Sequence, residues 1–125
     1  MRMWLCDPKI MCQKHLCGEH LEMHMFLDSL KKKKKITGYL NNNLFEPRLL
    51  FVRHEFLAVE MLKRKYKHKS PLDERVFEYS YMQLPYEEKN VKIDRQAALK
   101  TLLDRCPECR KRYTTLTGCQ PLAST

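Results

Sequence analysis

Three stretches of this chain carry apolar residues at helical spacing, and each stands behind a signal that starts helices. Asp7-Pro8 supplies a side-chain acceptor for an N-cap and a ring whose φ suits the first helical position. From there the chain can run helically to about Leu30. Its only break is Gly18, whose missing side chain leaves a gap for a packed helix or a ligand. Pro47 opens the second stretch, in which Leu49, Val52, Phe56 and Val59 share one face while Arg48, Glu55, Glu60 and Arg64 lie elsewhere, to about Lys67. Asp94 caps the third, which turns Ala98, Leu99, Leu102 and Leu103 toward a core and ends or resumes at Cys106-Pro107. With no alternating strand pattern, the expected fold is all-α, a compact single domain of about three helices with long ordered loops.

The loops follow from the breakers. Residues 31–46, KKKKKITGYLNNNLFE, read as a long basic loop. Ser70-Pro71 stops the second helix, and residues 72–93, with Tyr79, Tyr81, Pro85 and Tyr86, are expected to wrap the surface as an ordered loop. The domain is placed at 1–113, with a small, polar, flexible tail from 114 to 125. A chain of 125 residues, 43% of them hydrophobic, supports one core and needs no metal or disulfide to fold. No transmembrane run is visible, and MRMWLCDPKI does not read as a secretory signal, so the thiols are expected reduced and the protein intracellular, in cytoplasm, nucleoid or nucleus.

Lys plus Arg outnumber Asp plus Glu by 24 to 15, a net charge of +9, and a field of that sign attracts polyanions. Nucleic acid is the first partner to consider. The chemistry is sought on the first helix, where His15, Glu19 and Glu22 fall at spacings of four and three on one face. Two carboxylates and an imidazole lining a cleft can do acid–base work; on a solvated face they do nothing. Arg2 follows Met1, and a bulky second residue generally leaves the initiator in place. The mature terminus is then expected at Met1, whose α-amine, with an ordinary pKa of about 7.7–8.0, is partly neutral and nucleophilic at physiological pH.

Four segments together carry a resemblance: MRMW, HLCGEHLEMH, RHEFLAVEMLKRKYKHKSPL and RCPECRKRY. With them the chain resembles the pyrimidine-dimer DNA glycosylase family with coupled abasic-site lyase activity, of the phage endonuclease V type. The resemblance implies a DNA-repair enzyme that excises UV-induced pyrimidine dimers without a cofactor. Its attacking amine falls on Met1 and its catalytic glutamate on Glu22, with the adjacent arginine on Arg2, the helix histidine on His15 and a second acidic residue on Glu19. Where the phage enzyme has DNA-holding arginines on this helix, this chain has Leu21 and Met25, and nothing after Tyr113 matches its aromatic tail. DNA contacts are therefore assigned to Arg2, Lys14, His15 and Glu19, to the run Lys31, Lys32, Lys33, Lys34 and Lys35, and to Arg48, Arg64 and Lys65, on double-stranded DNA carrying a lesion, by a monomer.

Two other readings compete. A non-catalytic basic nucleic-acid-binding protein, such as a ribonucleoprotein or chromatin component retaining the fold, accounts for the charge equally well. Cys106-x-x-Cys109 could be half of a structural zinc site, but such a site needs four ligands, and Cys6, Cys12, Cys17 or Cys119 could complete it only through the fold. Free thiols and no metal are the expectation.

Overall fold

A computed structural model describes residues 1–67 and 70–118; Cys119 and the rest of the 119–125 stretch lie outside the described residues. Among the described residues the regular elements are all helical, without strands: α1 (Gln13–Lys31), α2 (Thr37–Asn41), α3 (Leu50–Lys63), α4 (Glu74–Met82), α5 (Tyr86–Lys89), α6 (Arg95–Arg105) and α7 (Pro107–Thr117), with 3-10 turns at Pro8–Ile10 and Pro47–Leu49. The all-α expectation holds with more helices than the three anticipated. No helix among them is long and apolar enough to cross a membrane.

The start signals act where the sequence puts them, with local refinements. The Asp7 side chain accepts from the Lys9 backbone N–H, but the turn it caps ends at Ile10, and α1 begins afresh after Cys12. Asp94 accepts from Ala97 N–H at the head of α6. Gly18 lies within α1, and a Cβ built there would meet nothing within 4 Å, so the gap is not filled by a packed neighbour. The basic loop is shorter than expected, since α2 occupies part of it.

Residues 72–93 are a correction, because they contain α4 and α5 rather than an irregular loop. Asp73 caps α4 by accepting from Arg75 and Val76 N–H. Its inward face pairs Phe77 with Ser80, and Tyr81 stacks on Phe77 with ring centroids 5.6 Å apart. Tyr79 and Tyr86 are exposed.

The face of α3 is a second correction. Val52, Phe56 and Val59 point to solvent, and the helix instead buries Leu50, Leu57 and Met61 together with Arg53, His54 and Glu60. Polar side chains can be buried only when partnered, and Arg53 is: its guanidinium makes two bonds to the Glu19 carboxylate, at 2.6 and 3.0 Å, and one to the Cys6 carbonyl at 2.6 Å. That pair draws α3 onto α1, the most extensive helix contact in the molecule.

The N-terminal segment is part of the core rather than a loose end. Met3 and Trp4 are buried, and Met3 N–H donates to the Leu44 carbonyl at 2.7 Å. The loop that receives it is itself anchored: buried Glu46 accepts from Ile93 N–H at 2.8 Å, and Asn43 exchanges bonds of 2.6 and 3.2 Å with Asp94. Phe45 stacks on Phe26 of α1 with centroids 4.0 Å apart. At the other end of the chain α7 carries helix through Thr117, so Thr114–Thr117 are helical rather than tail.

Candidate active site

Because Met3 and Trp4 are buried beside α1, the two preceding residues are delivered to the middle of that helix. The backbone N–H of Arg2 points at a carboxylate oxygen of Glu22, 3.4 Å away. Glu22 is half-buried, and that burial raises its pKa above the ordinary carboxylate value; the Arg2 N–H and the positive charge of the chain terminus act in the opposite direction. A carboxylate so placed feels the terminal amine electrostatically and sits closer to the proton-exchanging range than one in water.

Arg2 completes the group. Its guanidinium lies over the Trp4 ring, 3.7 Å from the centroid, and its Nε is buried without a hydrogen-bond partner. Such an orphaned donor costs on the order of 1–3 kcal/mol, more on a charged group, unless a ligand satisfies it. Burial, with Arg105 nearby, lowers the Arg2 pKa, while Glu19 and Glu22 oppose that shift. Met1 also lines a cleft of about 490 Å³ that it shares with Met25, Asp28, Lys34, Lys35 and Tyr39.

The structure divides the other residues singled out from the sequence. Lys31, Lys32, Lys33, Lys34 and Lys35 are all exposed at the end of α1, with Lys32 paired to Asp28 at 3.1 Å. Lys14, Arg48 and Lys65 are exposed, and Arg48 approaches Glu46 at 3.9 Å. Arg64 is engaged within the protein, bonding Glu60 at 2.8 Å and the Pro8 and Lys9 carbonyls at 3.0 and 3.2 Å. Glu19 is a correction: its side chain is 0% exposed and held by Arg53, so it offers DNA no surface. His15 shares a helix face with Glu22 but lies about 10 Å away along the axis. Its Nδ1 meets Cys12 Sγ at 3.2 Å and Cys109 Sγ at 3.8 Å, and its ring edge packs on Trp4.

One grouping is half visible in the sequence, as Cys106-x-x-Cys109 with Cys12 among its possible partners, and a second goes unseen. His15 and Cys12 join Cys106 and Cys109, whereas Cys6, whose thiol burial pushes up to about 11, stays outside the group. The available signal was the repeated three-residue step, Cys12 to His15 and Cys106 to Cys109. His20, His24 and His54 also cluster, with His24 and His54 nitrogens 3.1 Å apart and both within 3.1 Å of the Ser70 carbonyl. His20 and His24 share a face of α1 at i, i+4, but nothing in the sequence joins His54 to them.

The family described as pyrimidine dimer DNA glycosylase matches residues 1–74, more than half of the chain. This chain belongs to that family. The match spans the N-terminal segment, α1, α2 and α3, and so contains Met1, Arg2, Glu22 and the lysine run. In this pyrimidine dimer DNA glycosylase family member, α5, α6 and α7 lie beyond the matched region. No curated protein and no solved structure matches the chain.

Proposed function

We propose that this family member excises pyrimidine dimers from double-stranded DNA and then cleaves the strand as an abasic-site lyase, with the Met1 α-amine as nucleophile and Glu22 as the supporting carboxylate. The observation that carries the proposal is the Arg2 N–H 3.4 Å from the Glu22 carboxylate, close enough along the chain that the terminal charge acts on that carboxylate. A terminus is ordinarily the least ordered part of a domain. Here Met3 and Trp4 are buried, which is what a nucleophile borne on the terminus requires.

The steps follow from the groups. The neutral amine attacks the sugar C1′ of the 5′ nucleotide of the dimer; the C1′–N1 bond breaks and its electron pair leaves with the base. The ring opens as the C1′–O4′ bond gives way to an iminium, and the amine's surplus proton passes to solvent or to the ring oxygen. Glu22 in its carboxylate form stabilises the cationic sugar. The same carboxylate then accepts the C2′ proton, which the iminium has made acidic. The C–H electrons form the C2′–C3′ double bond, the C3′–O3′ bond breaks, and the strand is cut on the 3′ side. Water releases the protein from the imine. No step calls on a metal.

C1′ is shielded within a duplex, so the nucleotide must be drawn out of the stack, which costs a few kcal/mol and less at a damaged step. Phosphate contacts offset that cost. Lys34 and Lys35, which line the same cleft as Met1, are the best placed, and Arg2 beside Glu22 carries a guanidinium whose Nε has no partner within the protein. Lys31, Lys32, Lys33, Lys14, Arg48 and Lys65 extend the positive surface.

Borohydride trapping tests the reading, using untagged protein on duplexes bearing a thymine dimer or an abasic site. A covalent adduct with both DNAs, lost when the N-terminus is acetylated or extended, is the expected result. An adduct at the abasic site alone retains the lyase and removes dimer excision. Binding without an adduct on either DNA refutes the proposal in favour of a non-catalytic DNA-binding protein.

A further inference from the structure

We propose that Cys12, His15, Cys106 and Cys109 hold a structural zinc ion that fastens the start of α1 to the corner between α6 and α7. The four donor atoms lie within 4.8 Å of one another. Cys12 Sγ is 3.8 Å from Cys106 Sγ and 3.2 Å from His15 Nδ1, and Cys109 Sγ is 3.8 Å from the same nitrogen. Tetrahedral zinc, with Zn–S near 2.3 Å and Zn–N near 2.0–2.1 Å, sets S–S edges of about 3.8 Å and S–N edges of about 3.5 Å. The S–S separation equals that edge and the two S–N separations fall within about 0.3 Å of theirs. They are far from the roughly 2.05 Å of a disulfide.

The local architecture repeats on both sides. Cys12 is the N-cap of α1 and His15 is three residues on; Cys106 is the N-cap of α7 and Cys109 is three residues on. Two helix starts therefore face each other, each presenting one donor from its cap and one from its first turn. Backbone N–H groups are aimed at the sulfurs, Cys12 N–H to Cys109 Sγ at 3.2 Å and Cys109 N–H to Cys106 Sγ at 3.4 Å. Outer hydrogen bonds of this kind hold metal ligands in their orientation. Three thiolates and a neutral imidazole are a soft donor set in tetrahedral array, which selects zinc among common divalent ions. With four protein ligands there is no open position, so the site is structural.

The joint is long in sequence, because 94 residues separate Cys12 from Cys106. Cys12 and His15 lie inside the matched region 1–74, and Cys106 and Cys109 lie outside it. The ion would thus bind the C-terminal helical hairpin to the part of the chain that carries Met1 and Glu22. It also gives His15 a role that excludes contact with DNA.

The test is metal analysis of the untagged full-length chain, expressed with zinc and dialysed without chelator. About one zinc per chain is expected, with loss of that zinc in Cys109→Ser and in Cys106→Ser. His15→Cys should keep the metal by supplying a fourth thiolate, and Cys17→Ser should keep it because Cys17 is outside the quartet. Cobalt reconstitution of the wild-type chain should give thiolate-to-metal charge transfer with the intense visible bands of a tetrahedral ion, independently of whether any variant folds. A folded, metal-free protein that takes up no cobalt would overturn the proposal. So would metal that persists in both serine variants and leaves with His24→Ala, which would seat it among the three histidines. A mass 2 Da lower with blocked thiols would also overturn it, in favour of a disulfide.

Discussion

Replacing Arg53 by Met tests whether the buried ion pair between α1 and α3 organises the fold. Arg53 is 4% exposed and its partner Glu19 is 0% exposed, with bonds of 2.6 and 3.0 Å between them and a third from Arg53 to the Cys6 carbonyl. Methionine fills much the same volume but leaves the carboxylate buried and unpaired. Removing one partner of such a pair typically costs about 3–5 kcal/mol, a large share of the 5–15 kcal/mol that holds a domain together. For a chain of this size that corresponds to a drop in Tm of about 10–25 °C. Urea melts followed by circular dichroism would show the midpoint falling with the slope unchanged. Glu19→Gln combined with Arg53→Met removes the stranded charge and should recover a large part of the stability. A cost below about 1 kcal/mol for Arg53→Met, or a double variant no more stable than the single one, would refute the reasoning.

Glu22 should show the opposite balance between activity and stability. Its folded-state pKa is raised, chiefly by burial, so its ionisation opposes folding at pH values above the ordinary carboxylate range. Glu22→Gln is expected to raise Tm at neutral pH, with the gain vanishing below the unfolded carboxylate pKa, and to reduce strand cleavage by at least about 100-fold under single turnover. In the wild-type enzyme the acidic limb of the cleavage profile should lie above the usual carboxylate range. Thermal melts and rates across pH check both statements. At the cleft rim, Lys34→Ala and Lys35→Ala should each weaken binding to any duplex and lower the slope of log K against log salt by about 0.9. Arg64→Gln should instead lower Tm and leave that slope unchanged, because Arg64 is bonded to Glu60, Pro8 and Lys9. Fluorescence anisotropy over a salt series separates the two.

What the sequence discloses here depends on whether a residue's partners are near it along the chain. Asp7, Asp73 and Asp94 cap from within three residues, and two of these three starts are plain in the sequence. The third, Asp73, was hidden because the helix behind it buries Phe77 beside Ser80 rather than an apolar run. On α3 the apolar stripe pointed the wrong way. Glu60 is set off the apolar face, and nothing local shows that Arg53 is buried, because its partner Glu19 lies thirty-four residues earlier. Cys106-x-x-Cys109 is visible as half a site, but only the fold brings Cys12 and His15 to it. The pairing of Arg2 with Glu22 was accessible only through the family resemblance, since no periodicity links a chain terminus to a helix face.

Several of the side-chain bonds that eluded the sequence share a mechanical role, which is to hold the segment after the first residues of the chain in place. Arg53 reaches past Glu19 to the Cys6 carbonyl, Arg64 and Arg112 bond the carbonyls of the Pro8–Ile10 turn, and Leu5, just before Cys6, adopts a left-handed φ of 51°, a conformation that costs a leucine on the order of 1 kcal/mol or more. Strain of that kind persists only where the surroundings impose it. Here they impose it from three directions: α1 through Glu19, α3 through Arg53 and Arg64, and α7 through Arg112. A reactive group on a side chain in mid-helix would need none of this, since the helix fixes its position. A reactive group on the terminus has one covalent attachment and must be positioned by packing. The burial of Met3 and Trp4, and the convergence of distant arginines on the residues that follow, supply the positioning that the proposed Met1 nucleophile needs.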